Sequence, residues 1–160
     1  MAMVDPVDVL LIEDNPQDAE LTLRAFKKNN LANNIFVIED GADAVDFLFC
    51  KGQYSTREIL PHPKIILLDL KLPKIGGLEI LKMIKSDQRT KSIPVVIVTS
   101  SMEDPDIKTA YEMGANSYVV KPVGFDSFIE SIKKLCINEN INAVISLNDL
   151  ELPLLAAAHD

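Results

Sequence analysis

Five short apolar runs alternate along the chain with longer segments whose apolar residues have helical spacing. The runs cover residues 7–12, 35–38, 65–68, 94–98 and 117–120. Each is too short for a buried helix and is bounded by polar or turn-forming residues, so we predict five β-strands. A helix is predicted after each strand. This alternation predicts one doubly wound α/β domain, a mainly parallel sheet with helices on both faces.

The helical spacing also predicts which side chains face the sheet. Three helix starts are indicated by a polar capping residue: Asn15 before Pro16, Asp40, and Asp104 before Pro105. The third helix is predicted to begin near Leu78 and the fifth near Gly124. Residues 51–63 form an unusually long polar connection. The inward-facing residues are predicted to be Ala19, Leu23 and Phe26 in the first helix, Ala44, Val45, Leu48 and Phe49 in the second, and Leu78, Leu81 and Ile84 in the third.

The residues that end the predicted strands carry the candidate chemistry. Glu13 and Asp14 follow the first strand, Asp69 follows the third, Thr99 the fourth, and Lys121 the fifth. Because the carboxyl ends of parallel strands form one crevice, we expect these side chains to meet there. Taken singly, each residue has an ordinary explanation as a turn former, a strand residue or a solvated surface group.

Together these residues predict a phosphoryl-transfer site. Three neighbouring carboxylates repel one another unless a cation neutralises them, and oxygen ligands without His or Cys favour Mg²⁺. Lys121 adds a fixed positive charge and Thr99 a hydroxyl group. A metal, a lysine and a hydroxyl around one aspartate suit transfer to Asp69, which would act as the nucleophile and form an aspartyl-phosphate.

Charge and composition narrow the functional classes. The net charge of −8 and the scattered basic residues argue against a nucleic-acid surface. Cys50 and Cys136 lie in apolar helical patterns without CxxC spacing, which indicates reduced thiols. No signal peptide, lipidation motif or membrane-spanning run is found in the sequence, so we expect a cytoplasmic protein without membrane contact.

The chain resembles the receiver domain of two-component response regulators. The matching segments are Leu11-Ile12-Glu13-Asp14-Asn15, Leu67-Leu68-Asp69-Leu70-Lys71-Leu72-Pro73, Gly76-Gly77, Val98-Thr99-Ser100 and Tyr118-Val119-Val120-Lys121-Pro122. The resemblance covers residues 7 to about 137. It implies a flavodoxin-like (βα)5 sheet with strand order 2-1-3-4-5.

The resemblance also implies a role for each site residue. Asp69 is expected to be the phosphoacceptor. Mg²⁺ is expected to be held directly by Asp14, Asp69 and the backbone carbonyl of Lys71, and by Glu13 through a bound water. Thr99 and Lys121 are expected to contact the phosphoryl oxygens, with Tyr118 as the aromatic switch residue. The Lys121–Pro122 peptide bond is expected to be cis.

The implied partner is a sensor histidine kinase or a histidine phosphotransfer protein. We expect the chain to catalyse its own phosphorylation and dephosphorylation without being a turnover enzyme, and to signal by a surface change near helix four and strand five. A phosphate hydrolase would need an acid two residues after Asp69, where Lys71 stands. The absence of GxGxxG and the acidic loop at Glu13 argue against nucleotide-binding folds. A receiver fold that serves only as a phosphorylation-independent adaptor remains the alternative.

The last part of the chain is predicted to be an extension rather than an output domain. We expect a receiver domain over residues 1–137 and a tail over 138–160. The long connection before the third strand and this tail resemble those of stand-alone regulators that partner bacterial phytochrome kinases. The tail carries apolar residues at helical spacing, which predicts a homodimer interface shared with helix four, strand five and helix five. The simpler alternative is that the tail folds back over helix five.

Overall fold

A computed structural model of the chain describes residues 7–28, 34–59, 61–100 and 104–121, together with residues 130, 133 and 134. Within these ranges the strands and helices alternate as predicted. The elements are β1 (Val9–Ile12), α1 (Pro16–Lys28), β2 (Ile35–Ile38), α2 (Gly41–Leu48), a 3-10 turn (Gly52–Tyr54), β3 (Ile65–Leu68), α3 (Gly77–Ser86), β4 (Val95–Thr99), α4 (Asp104–Glu112) and β5 (Ser117–Val120).

The five strands form one parallel sheet in the order β2-β1-β3-β4-β5. This is the flavodoxin-like order that the resemblance implied, and the prediction is confirmed. The bounds of β2, β3 and β5 agree with the apolar runs, whereas β1 begins two residues later than its run and β4 is shifted by one. The order reverses between β1 and β3, so their carboxyl ends flank the crevice where open α/β sheets bind ligands.

The core lies around the three central strands. Every residue of β1, β3 and β4 is buried, as expected for strands covered by helices on both faces. The edge strands are less covered, and all residues of β5 are only half-buried. The central strands therefore form the buried part of the sheet, and the candidate site lies at their carboxyl ends.

Two short polar side chains begin the helices next to the site, as predicted. Asn15 Oδ1 accepts the backbone N–H groups of Gln17 (2.9 Å) and Asp18 (3.1 Å) at the start of α1. Asp40 Oδ1 accepts the N–H of Asp43 at 2.7 Å at the start of α2. Each cap satisfies N–H groups that the first helical turn leaves unpaired.

The inward face of α2 agrees with the prediction except at its aromatic residue. Phe47 is 3% exposed and belongs to the core, whereas Phe49 is only half-buried and caps the helix end. The connection after α2 explains the difference, because its 3-10 turn places Tyr54 edge-on to Phe47 with 5.2 Å between ring centroids. The Arg57 guanidinium lies 3.9 Å above the same ring. The long connection therefore covers a helix face that periodicity alone assigns to solvent.

Smaller differences occur in the other helices. In α3, Leu81 and Ile84 are buried as predicted, but Ile80 is fully buried while Leu78 is only half-buried. In α1, the predicted Leu23 is half-buried and Ala25 is buried instead. Helix α4 includes Asp104 and is followed by Gly114, whose φ of 103° allows the left-handed turn that ends the helix.

Several predictions concern residues that the structure does not describe. Most of the fifth helix, Pro122 with its predicted cis bond, and the tail over 138–160 lie outside the described residues. Among the helices that the structure does describe, none has the length and apolar character required to cross a bilayer.

Candidate functional site

The carboxyl ends of β1 and β3 bring three carboxylates together. Ile12 and Leu68 are aligned in neighbouring strands, and the Asp69 N–H donates to the Ile12 carbonyl at 3.0 Å. The residues that follow, Glu13, Asp14 and Asp69, each place a carboxylate oxygen within 4.8 Å of the others. Glu13 and Asp69 are buried, at 3% and 7% exposed, while Asp14 is exposed. The predicted cluster is therefore present and opens to solvent on the side of Asp14.

Lys121, at the end of β5, reaches across the sheet edge into this cluster. Its Nζ donates to Glu13 Oε1, to Asp69 Oδ2 at 3.0 Å, and to Asp18 Oδ2 at 3.0 Å. The Lys121 backbone N–H donates to the Thr99 carbonyl at 2.7 Å, which fixes the start of the side chain. The side chain is 14% exposed, so the three contacts are formed largely away from water.

The pKa values follow from this mixture of burial and charge. Burial raises the pKa of Glu13 to about 7, with Asp69 adding to the rise and the hydrogen bond from Lys121 opposing it. Burial alone would raise the pKa of Asp69, but Glu13, the Lys71 N–H and Lys121 outweigh it and hold the pKa below its usual value. Burial alone would lower the pKa of Lys121, but the three carboxylates hold it above its usual value. Asp69 is thus ionised and Lys121 is charged at neutral pH.

The loop after β3 holds the second oxygen of Asp69. The Lys71 N–H donates to Asp69 Oδ1 at 3.0 Å, so this oxygen and Oδ2 have different partners. A Cβ atom at Gly77 would lie 2.3 Å from the Asp69 carbonyl oxygen and 2.6 Å from Leu70 Cα. Only glycine lets the start of α3 pack this closely behind the aspartate, which explains Gly77 in the sequence.

The same loop is anchored to the start of α2. The Gly41 N–H donates to the Pro73 carbonyl at 3.2 Å, and a Cβ atom at Gly41 would lie 2.0 Å from the Ile75 carbonyl oxygen. Lys74, with a φ of 69°, places its Nζ 3.3 Å from Asp40 Oδ2. The backbone next to Asp69 is therefore held from two sides, by α3 and by α2.

Thr99 and Tyr118 lie on neighbouring strands at the same edge of the site. Thr99 is completely buried at the end of β4, and Tyr118 is half-buried on β5. Ile97 is aligned with Tyr118, and Thr99 is two residues beyond Ile97 on the same face of β4. Thr99 and Tyr118 thus lie on the same face of the sheet, offset by two residues along the strands.

Sequence reasoning missed Asp18. Its position three residues after Asn15 indicated a helix start, and its backbone N–H is bound there. Its carboxylate instead contacts Lys121. No local signal in the sequence identifies this contact, because Lys121 lies 103 positions away.

The arrangement suits chemistry on a negatively charged oxygen-rich group. The cluster consists of carboxylate oxygens alone, which is the donor chemistry of Mg²⁺ and similar hard cations, and its oxygens are close enough to share one ion. The Lys121 ammonium contacts the very carboxylate that the sequence predicts as nucleophile. A cation and an ammonium beside a buried aspartate are the parts that phosphoryl transfer requires.

Comparison with known proteins identifies the family. A family model of the response regulator receiver domain matches residues 9–133. The response regulator Rcp1 of Synechocystis sp. is 38% identical over 116 residues, which cover 72% of this chain and 77% of Rcp1.

Solved structures agree with this assignment. The bacteriophytochrome response regulator RtBRR is 47% identical with a TM-score of 0.73, covering 83% of this chain and 78% of its own. The Mn²⁺-bound form of Rcp1 is 33% identical with a TM-score of 0.71, covering 82% and 92%. The phosphorylated cyanobacterial phytochrome response regulator RcpA is 30% identical with a TM-score of 0.67, covering 88% and 99%. The fold, the cluster at the sheet edge and these similarities together establish that the chain belongs to the response regulator receiver family.

Proposed function

We propose that this chain is a response regulator that accepts a phosphoryl group on Asp69 from a phosphohistidine and signals through the resulting change of its surface. The observation that carries the proposal is the contact of the Lys121 ammonium with Asp69 Oδ2, inside a cluster of three carboxylates. A structural salt bridge would not need two further acidic groups beside it, since these repel one another.

A divalent cation completes the proposed site. Asp14 and Asp69 would hold it directly and Glu13 through a bound water, with the carbonyl of Lys71 as the implied backbone ligand. We propose Mg²⁺, because the donor atoms are all oxygen and one side of the cluster is open to water. When bound, this cation neutralises charge on the carboxylates and on an incoming phosphoryl group. The Mn²⁺-bound structure of Rcp1 supports a divalent metal in a related protein.

The residues of the chain supply the remaining steps. A carboxylate oxygen of Asp69 attacks phosphorus, the new O–P bond forms as the N–P bond of the donor breaks, and the imidazole leaves with the electron pair. Lys121 offers its ammonium to the negative charge that spreads over the phosphoryl oxygens. The Lys71 N–H keeps Asp69 oriented through Oδ1. Thr99 lies at the same edge and would donate its hydroxyl to a phosphoryl oxygen.

The proposed output is a shift between two states of the β4–β5 edge. A hydrogen bond from Thr99 to the phosphoryl group would change the space available to Tyr118 on the same face of the sheet. The half-buried β5 strand is the least covered part of this edge, which suits a segment with two arrangements.

The test is incubation of the chain with acetyl phosphate and Mg²⁺, followed by intact mass spectrometry. We expect the chain to gain one phosphoryl group when Mg²⁺ is present and none when the metal is chelated from the start. A mass that never changes would favour the alternative, an adaptor that binds partners without phosphorylation. The presence of Asp14, Asp69, Thr99 and Lys121 together speaks against an adaptor, which needs none of them for binding.

The proposed partner is a sensor histidine kinase of the phytochrome type, or a histidine phosphotransfer protein. The similarity to RtBRR, at 47% identity, and to Rcp1 and RcpA supports this choice. The cytoplasm, where such kinases present their phosphohistidine, remains the predicted location. Copurification of the chain with candidate kinases would identify the partner directly.

The side chain of Lys71 is expected to slow the loss of the phosphoryl group. Lys71 is exposed and lies two residues after Asp69, where a long side chain would shield the phosphoryl group without orienting a water for attack. We therefore expect Lys71→Asn to release phosphate several times faster than the wild-type chain. Phosphate release from both phosphorylated proteins tests this, and an equal or slower rate in the variant would contradict it.

The predicted homodimer has its own test. We propose that the apolar tail buries its leucine and isoleucine residues against a second copy, at roughly 1.5–3 kcal/mol for each fully buried large side chain. Light scattering on the full chain and on a chain shortened to residues 1–137 should give a dimer and a monomer, respectively. Two monomers at high concentration would favour a tail that folds back on its own helix five.

A further inference from the structure

One of the three hydrogen bonds of the Lys121 ammonium leads out of the carboxylate cluster to helix α1. Its acceptor is Asp18 Oδ2 at 3.0 Å, and the other two bonds go to Glu13 and Asp69. An ammonium group has three N–H donors, so three carboxylates use all of them. A phosphoryl oxygen that needs an N–H from Lys121 must therefore compete with an acceptor already in place.

The three acceptors differ in how easily they can release the ammonium. The side chains of Glu13 and Asp69 are only 3% and 9% exposed, whereas that of Asp18 is 35% exposed. A buried carboxylate that loses its partner is left with an unpaired charge, but a solvent-exposed one exchanges it for water at little cost. Asp18 is therefore the acceptor that Lys121 can leave most readily.

The Asp18 carboxylate is not part of the helix cap. Asn15 caps α1, and Asp18 contributes its backbone N–H to that cap and its carbonyl to the Thr22 hydroxyl at 3.1 Å. These backbone contacts do not depend on the side chain at position 18. A change from carboxylate to amide would leave them intact.

Asp18 also changes the charge balance of the site. The carboxylates of Glu13, Asp14, Asp18 and Asp69 outnumber the single ammonium of Lys121 in this part of the site. The carboxylate of Asp18 adds negative charge beside the place where a divalent cation or a phosphoryl group would bind. Asp18 therefore favours binding of the cation and disfavours binding of the phosphoryl group.

We propose that Asp18 is a positioning residue of the phosphoryl-transfer site, holding Lys121 in the unphosphorylated protein and competing with the phosphoryl group for its ammonium. This inference rests on the proposed function, because it concerns how readily that site accepts a phosphoryl group. It assigns Asp18 opposite effects on the two ligands: tighter binding of the metal and weaker binding of the anion.

The experiment is calorimetric titration of Asp18→Asn, since the chain has no tryptophan to report binding by fluorescence. Mg²⁺ is titrated alone, and fluoroberyllate, an analogue of the phosphoryl group, is then titrated at saturating Mg²⁺. We expect Asp18→Asn to bind Mg²⁺ about three- to tenfold more weakly, and fluoroberyllate at least about threefold more tightly, because one nearby negative charge is removed.

Two controls separate this role from a structural one. Glu20→Gln makes the same charge change on α1 at a side chain that pairs with Arg24 rather than Lys121, and should leave both affinities unchanged. Asp18→Glu keeps the charge and should restore wild-type metal affinity.

The outcomes distinguish the inference from the proposed function. Affinities in Asp18→Asn that are unchanged, or that both fall, would overturn the role of Asp18 while wild-type binding of both ligands upheld the proposed function. A wild-type chain that binds neither Mg²⁺ nor fluoroberyllate would overturn both.

Discussion

Replacing Asp69 with asparagine is expected to abolish phosphoryl uptake while leaving the fold intact. The amide oxygen is a far weaker nucleophile than a carboxylate, so we expect uptake from acetyl phosphate to fall by at least about 100-fold. The asparagine can still accept the Lys71 N–H that Asp69 Oδ1 accepts at 3.0 Å. Lys121 keeps Glu13 and Asp18 as partners. Intact mass measured over time gives the rate.

A matched control exists at the opposite edge of the same sheet. Asp8 precedes β1, is half-buried, and accepts the Asn34 N–H through Oδ2 at 3.2 Å. Asp8→Asn makes the same chemical change far from the carboxyl ends of the strands and should take up the phosphoryl group at the wild-type rate. Uptake by Asp69→Asn at that rate would show that another residue is the acceptor.

Replacing Gly77 with alanine is expected to destabilise the protein and displace Asp69. The added Cβ would lie 2.3 Å from the Asp69 carbonyl oxygen and 2.6 Å from Leu70 Cα. Both are backbone atoms, so no side chain can move aside and the start of α3 must shift. We expect the free energy of unfolding to fall by about 2–4 kcal/mol. Phosphoryl uptake should slow by about tenfold or more, since small displacements of reacting groups are costly.

The neighbouring glycine provides the control. At Gly76 an added Cβ would contact only the Leu70 carbonyl oxygen, at 3.9 Å, and the φ of −71° suits any residue. Gly76→Ala should change the free energy of unfolding by less than about 1 kcal/mol. Urea denaturation followed by circular dichroism compares the two variants. Equal stability would mean that the close packing of α3 behind Asp69 is not required.

Much of the fold could be predicted from the sequence because its strongest signals are local. The runs at 35–38, 65–68 and 117–120 are continuous apolar segments bounded by polar or turn residues, and they form β2, β3 and β5 over those residues. Parallel pairing then brings Glu13 and Asp69 together without further information, because residues that end neighbouring parallel strands share one edge of the sheet.

The features that could not be predicted depend on contacts between distant segments. Phe47 is buried because Tyr54 and Arg57, in the connection after α2, fold back over it. A hydrophobic pattern within one helix carries no record of that cover. The same limit explains the burial of Ile80 rather than Leu78 in α3 and the close approach of Gly41 to Ile75.

Asp18 shows this limit in the site itself. The pattern around it indicates a helix start, and that interpretation describes its backbone correctly. Its carboxylate, however, is bound by a lysine 103 positions away in the sequence. Local rules describe what a residue does for its own helix, whereas its role in a site depends on which side chain the sheet brings to it.

Peptide mass mapping of the wild-type chain after incubation with acetyl phosphate and Mg²⁺ would locate the phosphoryl group directly. The site geometry predicts a single phosphoryl group, found on the peptide that contains Asp69 and missing when the metal is chelated. A phosphoryl group on the peptide of Glu13 and Asp14, or a chain that stays unmodified under these conditions, would contradict the account.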